Sequence, residues 1–341
     1  MTVSRFYNQN GYVSPKTKEK IAKAALQLDY HQPNPVAIAL SKNATRQILL
    51  LLPERDFGNS FFTAFYSGAA KYAEKVGYML VVSSDFNFSQ IFKKMFDGLI
   101  ILGGSSLDPG ELKERLQVPA IVAGFGETTP FPWLEHVEID TGAAMEMMIR
   151  YLNDVGHRRI AFVAPRFLVA GEADRKDATP QFLKPYGAIS LRYMRYITLL
   201  HDEFKEKLND YIFNVDDDDA IDISGLAPNY YRFGRAAAEQ IYNIQPDITA
   251  VVCYNDEVAI GLISRLQGLG VNIPGDLSVA GMDDTLRGAY SYPSLTTVRL
   301  PAVKQGEECV KRLIRNIEEE PPLPSAQFDL EIILRESIKF I

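Results

Sequence analysis

The chain has 341 residues, of which 47% are apolar and 23% are charged, and its net charge is −7. This composition is that of a soluble globular protein long enough for about two or three hydrophobic cores. Because no apolar run reaches the roughly 18 residues of a membrane span and the N-terminus is polar, we expect neither a transmembrane helix nor a signal peptide. Two cysteines, Cys253 and Cys309, are too few for a disulfide framework, so we expect buried thiols, a cytoplasmic location and no membrane partner.

Charge divides the chain into two unequal parts. Residues 1–46 carry a net charge of +5, so the remaining residues carry −12. A basic arm on an acidic body is typical of a protein that binds a polyanion such as nucleic acid. A helix is predicted over residues 15–28, with Ser14 as its cap and Pro15 at its first position. Its lysines are either phosphate contacts or a solvated face: Lys16, Lys18, Lys20 and Lys23.

The stretch from residue 30 to residue 46 joins the two parts. Asn34 predicts the cap of a short helix that carries Val36, Ala37 and Leu40 on one face. Such a short helix is not stable alone in water, so it would form only when another surface docks against it. The residues alone leave two interpretations open. The stretch is either an ordinary interdomain linker or a segment whose Leu40 wedges into a DNA minor groove.

From residue 47 onward, short apolar runs alternate with amphipathic stretches. Alternating strands and helices predict parallel sheets joined by right-handed crossovers. The predicted fold class is therefore α/β, with two lobes of doubly wound parallel sheet and a ligand cleft at the carboxyl ends of the strands. Strands are predicted at residues 48–52, 78–83, 98–102, 119–123, 137–139, 159–164, 248–254 and 277–281, and helices at residues 60–76, 141–155, 188–208, 230–242 and 257–269.

Motifs in both parts resemble those of one protein family. Residues 2–40, from TVSRFYNQNGYVS to NPVAIAL, resemble the DNA-binding head and hinge of bacterial repressors of the LacI/GalR type. FGNSFF at 57–62, GHRRIAF at 156–162 and TAVVCYNDEVAIG at 249–261 resemble motifs of the same family's body. The resemblance covers essentially the whole chain. It implies a two-lobed, periplasmic-binding-protein-like body preceded by a helix-turn-helix head and a hinge helix.

The resemblance also implies domain boundaries. Residues 1–46 would form the head and hinge, and residues 47–341 the effector-binding domain. Lobe 1 would comprise residues 47–141 and 295–319, and lobe 2 residues 142–294 and 320–341. The family's head begins with a helix before the recognition helix, whereas Met1 aligns within the recognition helix, so we expect a partial head. The DNA contacts implied by the family pattern are Thr2, Ser4, Arg5, Asn34, Val36, Ala37 and Leu40.

Two polar residues after predicted strands are candidates for binding a ligand. A carboxylate can accept hydrogen bonds from two sugar hydroxyls, which favours Asp283, with Asp284 as a cap for the next segment. Asn255 ends another predicted strand and is either a ligand contact or a helix cap. Of the two neighbours, Asp256 is the stronger candidate for that cap.

Three further ligand candidates are Arg192, Phe61 and Phe62. Arg192 matches the family's ligand arginine, although Arg195 stands where the family has glycine. Phe61 and Phe62 either stack on a sugar ring or pack in the core. Trp133, the single tryptophan, either lines the cleft or anchors the surface.

The other polar motifs indicate no metal and no cofactor. The histidines and cysteines are not at metal-ligand spacing, and the acidic run 216–219 lacks the spaced ligands of a calcium loop. His157 is expected to cap a helix and His201 to face solvent. Because no nucleophile elbow or phosphate loop is present, we do not expect an enzyme. A polar insert at residues 165–190 is either a surface loop or a lid over the cleft.

Together these observations predict a sequence-specific transcriptional regulator, a repressor of a sugar-utilisation operon. We expect a homodimer on a pseudo-palindromic operator, controlled by a small-molecule effector, a sugar, between the lobes. The alternative is a sugar-binding sensor that does not bind DNA competently because its head is incomplete.

Overall fold

The computed structural model describes residues 2–3, 6, 12–28, 44–52, 60–84, 95–102, 108–125, 131–164, 212–213, 229–244 and 248–341. Several predicted features lie outside these residues: Ser4, Arg5, Asn34, Val36, Ala37, Leu40, Arg192, His201, the insert 165–190, the helix 188–208 and the acidic run 216–219.

The head contains the predicted basic helix, α1, over Pro15–Gln27. Ser14 caps it, since its hydroxyl oxygen accepts a hydrogen bond from the Thr17 backbone N–H at 3.3 Å. Pro15 occupies the first turn, where its missing N–H leaves no helical hydrogen bond unmade. The four lysines of α1 are exposed, and their charges are therefore available to a partner.

The first sheet contains five parallel strands in the order β2-β1-β3-β4-β5. The interior strand β1 is buried along most of its length and pairs in parallel with both β2 and β3, as the continuous apolar run predicted. We call this sheet and its helices lobe 1. Its elements are β1 (Gln47–Leu51), α2 (Ser60–Lys75), β2 (Met79–Ser83), β3 (Gly98–Leu102), α3 (Pro109–Arg115), β4 (Ala120–Gly124) and β5 (Glu135–Glu138).

The second sheet, which belongs to lobe 2, has the strand order β11-β10-β9-β8-β6-β7. All its pairings are parallel except that of β10 with β11. The elements that follow β5 in chain order are α4 (Thr141–Asp154), β6 (Ile160–Val163), β7 (Ile212–Phe213), α5 (Tyr230–Ile244), β8 (Ala250–Cys253), α6 (Asp256–Gly268), β9 (Ser278–Met282), α7 (Leu286–Tyr290), β10 (Thr296–Arg299), α8 (Ala302–Ile317) and β11 (Glu331–Ile333). All of them belong to lobe 2 except α8. The predicted α/β class with parallel sheets is confirmed.

The boundary predicted at residue 295 needs a correction. Strand β10 pairs with β9 in the second sheet, whereas we expected residues 295–319 in lobe 1. The crossing lies after β10, and α8 then packs against α2, β3 and β4 of lobe 1. Within the described residues, the chain thus passes between the sheets three times, at residues 139–141, 300–302 and 318–330.

Each lobe brings two helices together at a pair of glycines. A Cβ on Gly68 of α2 would overlap the Val303 carbonyl oxygen, and a Cβ on Gly261 of α6 would overlap the Tyr231 carbonyl oxygen. Only glycine allows backbones to approach this closely. The partner helices contribute a second glycine with a similarly close approach, Gly306 of α8 and Gly234 of α5.

Buried residues outside the cleft have structural roles. Cys253 and Cys309 are free and buried, as predicted, and burial raises the pKa of both thiols. His157 is also buried, and it caps α4 as predicted, since its backbone N–H donates to the Leu152 carbonyl oxygen at 2.9 Å in the last turn of that helix. Its ring nitrogens lie 3.0 Å from the Thr249 hydroxyl and 3.1 Å from the Lys339 carbonyl oxygen, so it joins separate segments of lobe 2. Within the described part of the chain, no helix is long and apolar enough to cross a membrane.

Candidate ligand cleft

The carboxyl ends of the two sheets face each other. Ser60 begins α2, which follows β1 of lobe 1, and Glu257 lies in the first turn of α6, which follows β8 of lobe 2. The Ser60 hydroxyl donates a hydrogen bond to the Glu257 carboxylate at 3.5 Å. Arg287 of α7 holds the other Glu257 oxygen at 2.7 Å. This contact places the cleft where parallel sheets bind ligands, beyond the ends of their strands.

The lobe 1 side of the cleft is aromatic. Phe61 and Phe62 lie in the first turn of α2, and each is less than a tenth exposed. The ring of Phe61 meets that of Phe125, which follows β4, edge to face with centroids 4.9 Å apart. Phe62 lies beside Tyr66. Both predicted phenylalanines therefore pack within the core of lobe 1 at its cleft end. Their rings form a wall of the cleft and do not project freely into it.

On the lobe 2 side, Asn255 is the helix cap and Asp256 is not. The Asn255 side-chain oxygen accepts a hydrogen bond from the Val258 backbone N–H at 2.9 Å, and the residue is buried. The helix-cap interpretation of Asn255 thus applies, and the expectation that Asp256 is the cap is wrong. Asn and Asp are equally good caps, so the sequence could not separate the two neighbours.

Asp256 instead joins three elements inside lobe 2. Its carboxylate accepts hydrogen bonds from the Thr285 backbone N–H at 2.7 Å and from the Thr297 hydroxyl at 2.6 Å. Burial raises the pKa of Asp256 to about 7, although these hydrogen bonds act in the opposite direction. Through these two hydrogen bonds the buried Asp256 side chain links α6 to β10 and to the residue before α7, beside the end of β9.

Two aspartates follow β9 with unusual backbone geometry. Asp283 has φ of 122° and Asp284 has φ of 59°, values that residues other than glycine rarely adopt. The backbone N–H of Asp283 donates to the Val298 oxygen at 2.9 Å. Asp284 forms an ion pair with Arg299 at 2.7 Å and another with Arg335. Asp284 is therefore not the expected cap, since α7 is capped by the Thr285 hydroxyl.

The sequence missed the residues that connect the two lobes. Ser60 and Glu257 are 197 positions apart, and no local motif predicts such a contact. The only local indication of a role for Glu257 in the sequence is that Asp256 and Glu257, two acidic residues, closely follow a predicted buried strand. Trp133 precedes β5 and lies at the amino end of the lobe 1 sheet, with Lys113 5.5 Å above its ring. The surface interpretation of Trp133 therefore applies.

The DNA-binding residues are only partly described. Thr2 is exposed and helical. The other predicted contacts, Ser4, Arg5, Asn34, Val36, Ala37 and Leu40, lie outside the described residues. Among the described residues there is also no group of histidine, cysteine and carboxylate side chains that could hold a metal ion.

Two family models match the chain. Residues 149–338 match the periplasmic binding protein-like domain, and residues 1–34 match the bacterial regulatory proteins of the lacI family. The chain belongs to the LacI/GalR family of bacterial regulators. This LacI-type regulator is 27% identical over 353 residues to the HTH-type transcriptional repressor PurR of Vibrio vulnificus, a match that covers 100% of this chain and 95% of that protein.

Solved structures share the fold of this LacI-type regulator. The lac repressor dimer bound to operator and the anti-inducer ONPF has a TM-score of 0.73 at 21% identity, covering 98% of this chain and 94% of that one. The transcriptional regulator CelR in complex with cellobiose has a TM-score of 0.68 at 22% identity, covering 98% and 95%. At these identities the likeness shows the two-lobed α/β fold and no more.

Proposed function

We propose that this LacI-type regulator is a transcriptional repressor whose affinity for operator DNA changes when a sugar binds between its lobes. The observation that carries the proposal is the strained pair Asp283–Asp284 at the cleft end of β9. Strained backbone persists only where the surroundings hold it, and such residues cluster at ligand sites. Here Arg299 and Arg335 hold Asp284, which fixes the neighbouring Asp283.

The chemistry of the cleft fits a polyhydroxylated ring. The Asp283 carboxylate can accept hydrogen bonds from two adjacent hydroxyl groups. The wall formed by Phe61, Phe62 and Phe125 offers apolar faces to the C–H surfaces of a sugar. The CelR structure, which holds cellobiose, supports this ligand class.

The head supports operator binding. Residues 1–34 match the lacI-family regulatory model, and the exposed lysines of α1 are placed to contact phosphates. The lac repressor is bound to its operator as a dimer, and the PurR relative is named a repressor. On this basis we propose a cytoplasmic homodimer that binds a pseudo-palindromic operator.

The proposal is tested by fluorescence-anisotropy titration of the full chain with duplex DNA from the promoter of its own locus. The salt concentration is varied, and cellobiose, ribose and other mono- and disaccharides are added in turn. We expect tight, salt-dependent binding that one sugar weakens or strengthens by about ten-fold or more. Binding no tighter than to an unrelated duplex, together with a sugar that raises the melting temperature, would identify a sensor that does not act on DNA.

A pair of lysine variants tests the role of the head. Lys23→Ala on α1 is expected to weaken binding to all duplexes and to lower the slope of log Kd against log salt by about 1, because one phosphate contact is lost. Lys304→Ala, at an equally exposed position on α8 of the body, is the matched control and should leave the slope unchanged.

A further inference from the structure

One carboxylate holds the point where the chain enters the body. Asp97 immediately precedes β3. Its Oδ1 atom accepts hydrogen bonds from the Thr45 backbone N–H at 2.6 Å and from the Thr45 hydroxyl at 2.7 Å. Its Oδ2 atom accepts a hydrogen bond from the Arg46 backbone N–H at 2.8 Å. A single side chain thus holds three donors from two consecutive residues. Hydrogen bonds to a carboxylate are stronger than those between neutral groups.

The backbone on either side is held as well. The Arg46 oxygen accepts from the Met79 N–H at 2.8 Å, and the Gln47 oxygen accepts from the Asp97 N–H at 2.8 Å. Arg46 has φ of 56°, and its guanidinium group lies 4.9 Å above the Tyr78 ring centroid. The chain therefore turns sharply at Arg46 in a conformation that is maintained by its contacts.

This cluster, which we call the Asp97 clasp and define as Thr45, Arg46 and Asp97, lies at the amino end of the lobe 1 sheet. Strands β1 and β3 begin beside it and run in parallel to the cleft end of the sheet, about 17 Å away for five residues. Both strands are almost entirely buried. The clasp thus connects the stretch leading from the head to the stiff centre of lobe 1.

We propose that the Asp97 clasp is the element that couples lobe 1 to the DNA-binding head. The inference rests on the proposed function, because it concerns how a sugar in the cleft alters DNA binding. With the clasp closed, residues 45–46 move with β1 and β3 as one body, so a rotation of lobe 1 also rotates the segment that leads to the head. With the clasp open, the chain can bend at residues 44–47, and sugar binding no longer changes the orientation of the head.

Asp97→Asn tests the coupling in the full chain. The amide retains the size of the carboxylate but places an N–H₂ group against backbone and hydroxyl donors. The readout is the ratio of DNA Kd with and without the panel sugar that most raises the wild-type melting temperature. We expect this ratio to fall below about two-fold in the variant, while the sugar's own Kd for the DNA-free protein stays within about two-fold of wild type.

Asp108→Asn is the matched control. Asp108 also loses one negative charge in lobe 1, and its carboxylate also accepts a backbone N–H, that of Glu111 at 2.7 Å. It caps α3 and has no contact with residues 45–46 among those described. This variant should keep the wild-type ratio.

A second pair of variants decides the matter if Asp97→Asn fails to fold. Thr45→Ser keeps the hydroxyl donor and should keep the wild-type ratio of DNA Kd with and without sugar. Thr45→Val keeps the shape of the side chain but lacks the donor, so its ratio should be smaller. Full coupling in Asp97→Asn, or equal coupling in the two Thr45 variants, would overturn the inference. A wild-type chain whose DNA affinity no panel sugar changes would overturn the proposed function instead, and with it the coupling role.

Discussion

The two lobes are built alike but present different chemistry to the cleft. Each has a sheet of mainly parallel strands and a helix crossing at two glycines, Gly68 with Gly306 in lobe 1 and Gly234 with Gly261 in lobe 2. At the cleft, however, lobe 1 presents aromatic side chains. Lobe 2 presents buried, hydrogen-bonded polar groups in strained or capped positions.

This difference separates two kinds of recognition. Apolar packing depends on area and tolerates changes in a ligand's hydroxyl pattern, whereas a fixed carboxylate is sensitive to the presence of each hydroxyl. We infer that lobe 2 determines which sugar binds and that lobe 1 adds affinity once the lobes meet.

The largest expected effect concerns the shared helix crossing. Gly261→Ala places a methyl group on the Tyr231 carbonyl oxygen, so we expect a loss of roughly 3 kcal/mol in the free energy of unfolding. Gly68→Ala should cost lobe 1 a similar amount. Gly268→Ala, on the same helix as Gly261 but with open space around it, should be neutral or slightly stabilising. Urea unfolding measures all three, and a neutral Gly261→Ala would contradict the crossing.

The next effect is the pH dependence of Asp256, a feature of lobe 2. Burial raises the pKa of Asp256 from its usual 3.8 to about 7. Between these values the unfolded chain loses the proton while the folded chain keeps it. The folded state is therefore favoured less as pH rises from about 4 to 7, and the dependence levels off above the folded pKa.

Asp256→Asn removes this titration. Between pH 5 and pH 8 the wild type should lose roughly 2 to 3 kcal/mol more unfolding free energy than the variant. The difference between the two proteins, measured by urea unfolding at each pH, cancels the contributions of other groups such as His157, whose pKa burial lowers. Parallel pH profiles in the two proteins would mean that Asp256 does not hold its proton.

The smallest effect separates the two sides of the cleft. Phe61→Leu should weaken binding of the best panel sugar by about 1 kcal/mol, and its deoxy analogues by the same amount, because only ring contact is lost. Asp283→Asn should instead reduce the difference in Kd between the sugar and its deoxy analogues, because the lost carboxylate is what accepts the hydroxyl hydrogen bonds. Calorimetric Kd values test this, and a Phe61 variant that changed the preference among hydroxyl patterns would break the proposed division.

The sequence predicted the body's strands because their apolar runs are continuous and bounded. The predicted strand at 98–102 matches β3, and the predicted helix at 141–155 differs from α4 by one residue. The short elements α3, β7, α7, β10 and β11 were missed, and so was the sixteen-residue helix α8. An edge strand of three residues such as β11 has too little pattern to be distinguished from a loop.

The site was less predictable because its geometry depends on distant partners. The carboxyl of Asp256 is defined by Thr297, 41 residues away, and the role of Asp284 by Arg335, 51 residues away. A local pattern shows that an aspartate follows a strand. It does not show whether that aspartate caps a helix, holds a neighbour or faces a ligand.

The most direct test of the account is the anisotropy titration of promoter DNA by wild type and Asp283→Asn, each with and without the panel sugar. Asp329→Asn, the same charge change at an exposed position just before β11, is the control. Without sugar, all three proteins should bind DNA equally. With sugar, the DNA Kd of wild type and the control should change by about ten-fold or more, and that of Asp283→Asn by less than about two-fold. An equal sugar response in wild type and Asp283→Asn would contradict the central claim that Asp283 in this cleft controls DNA binding.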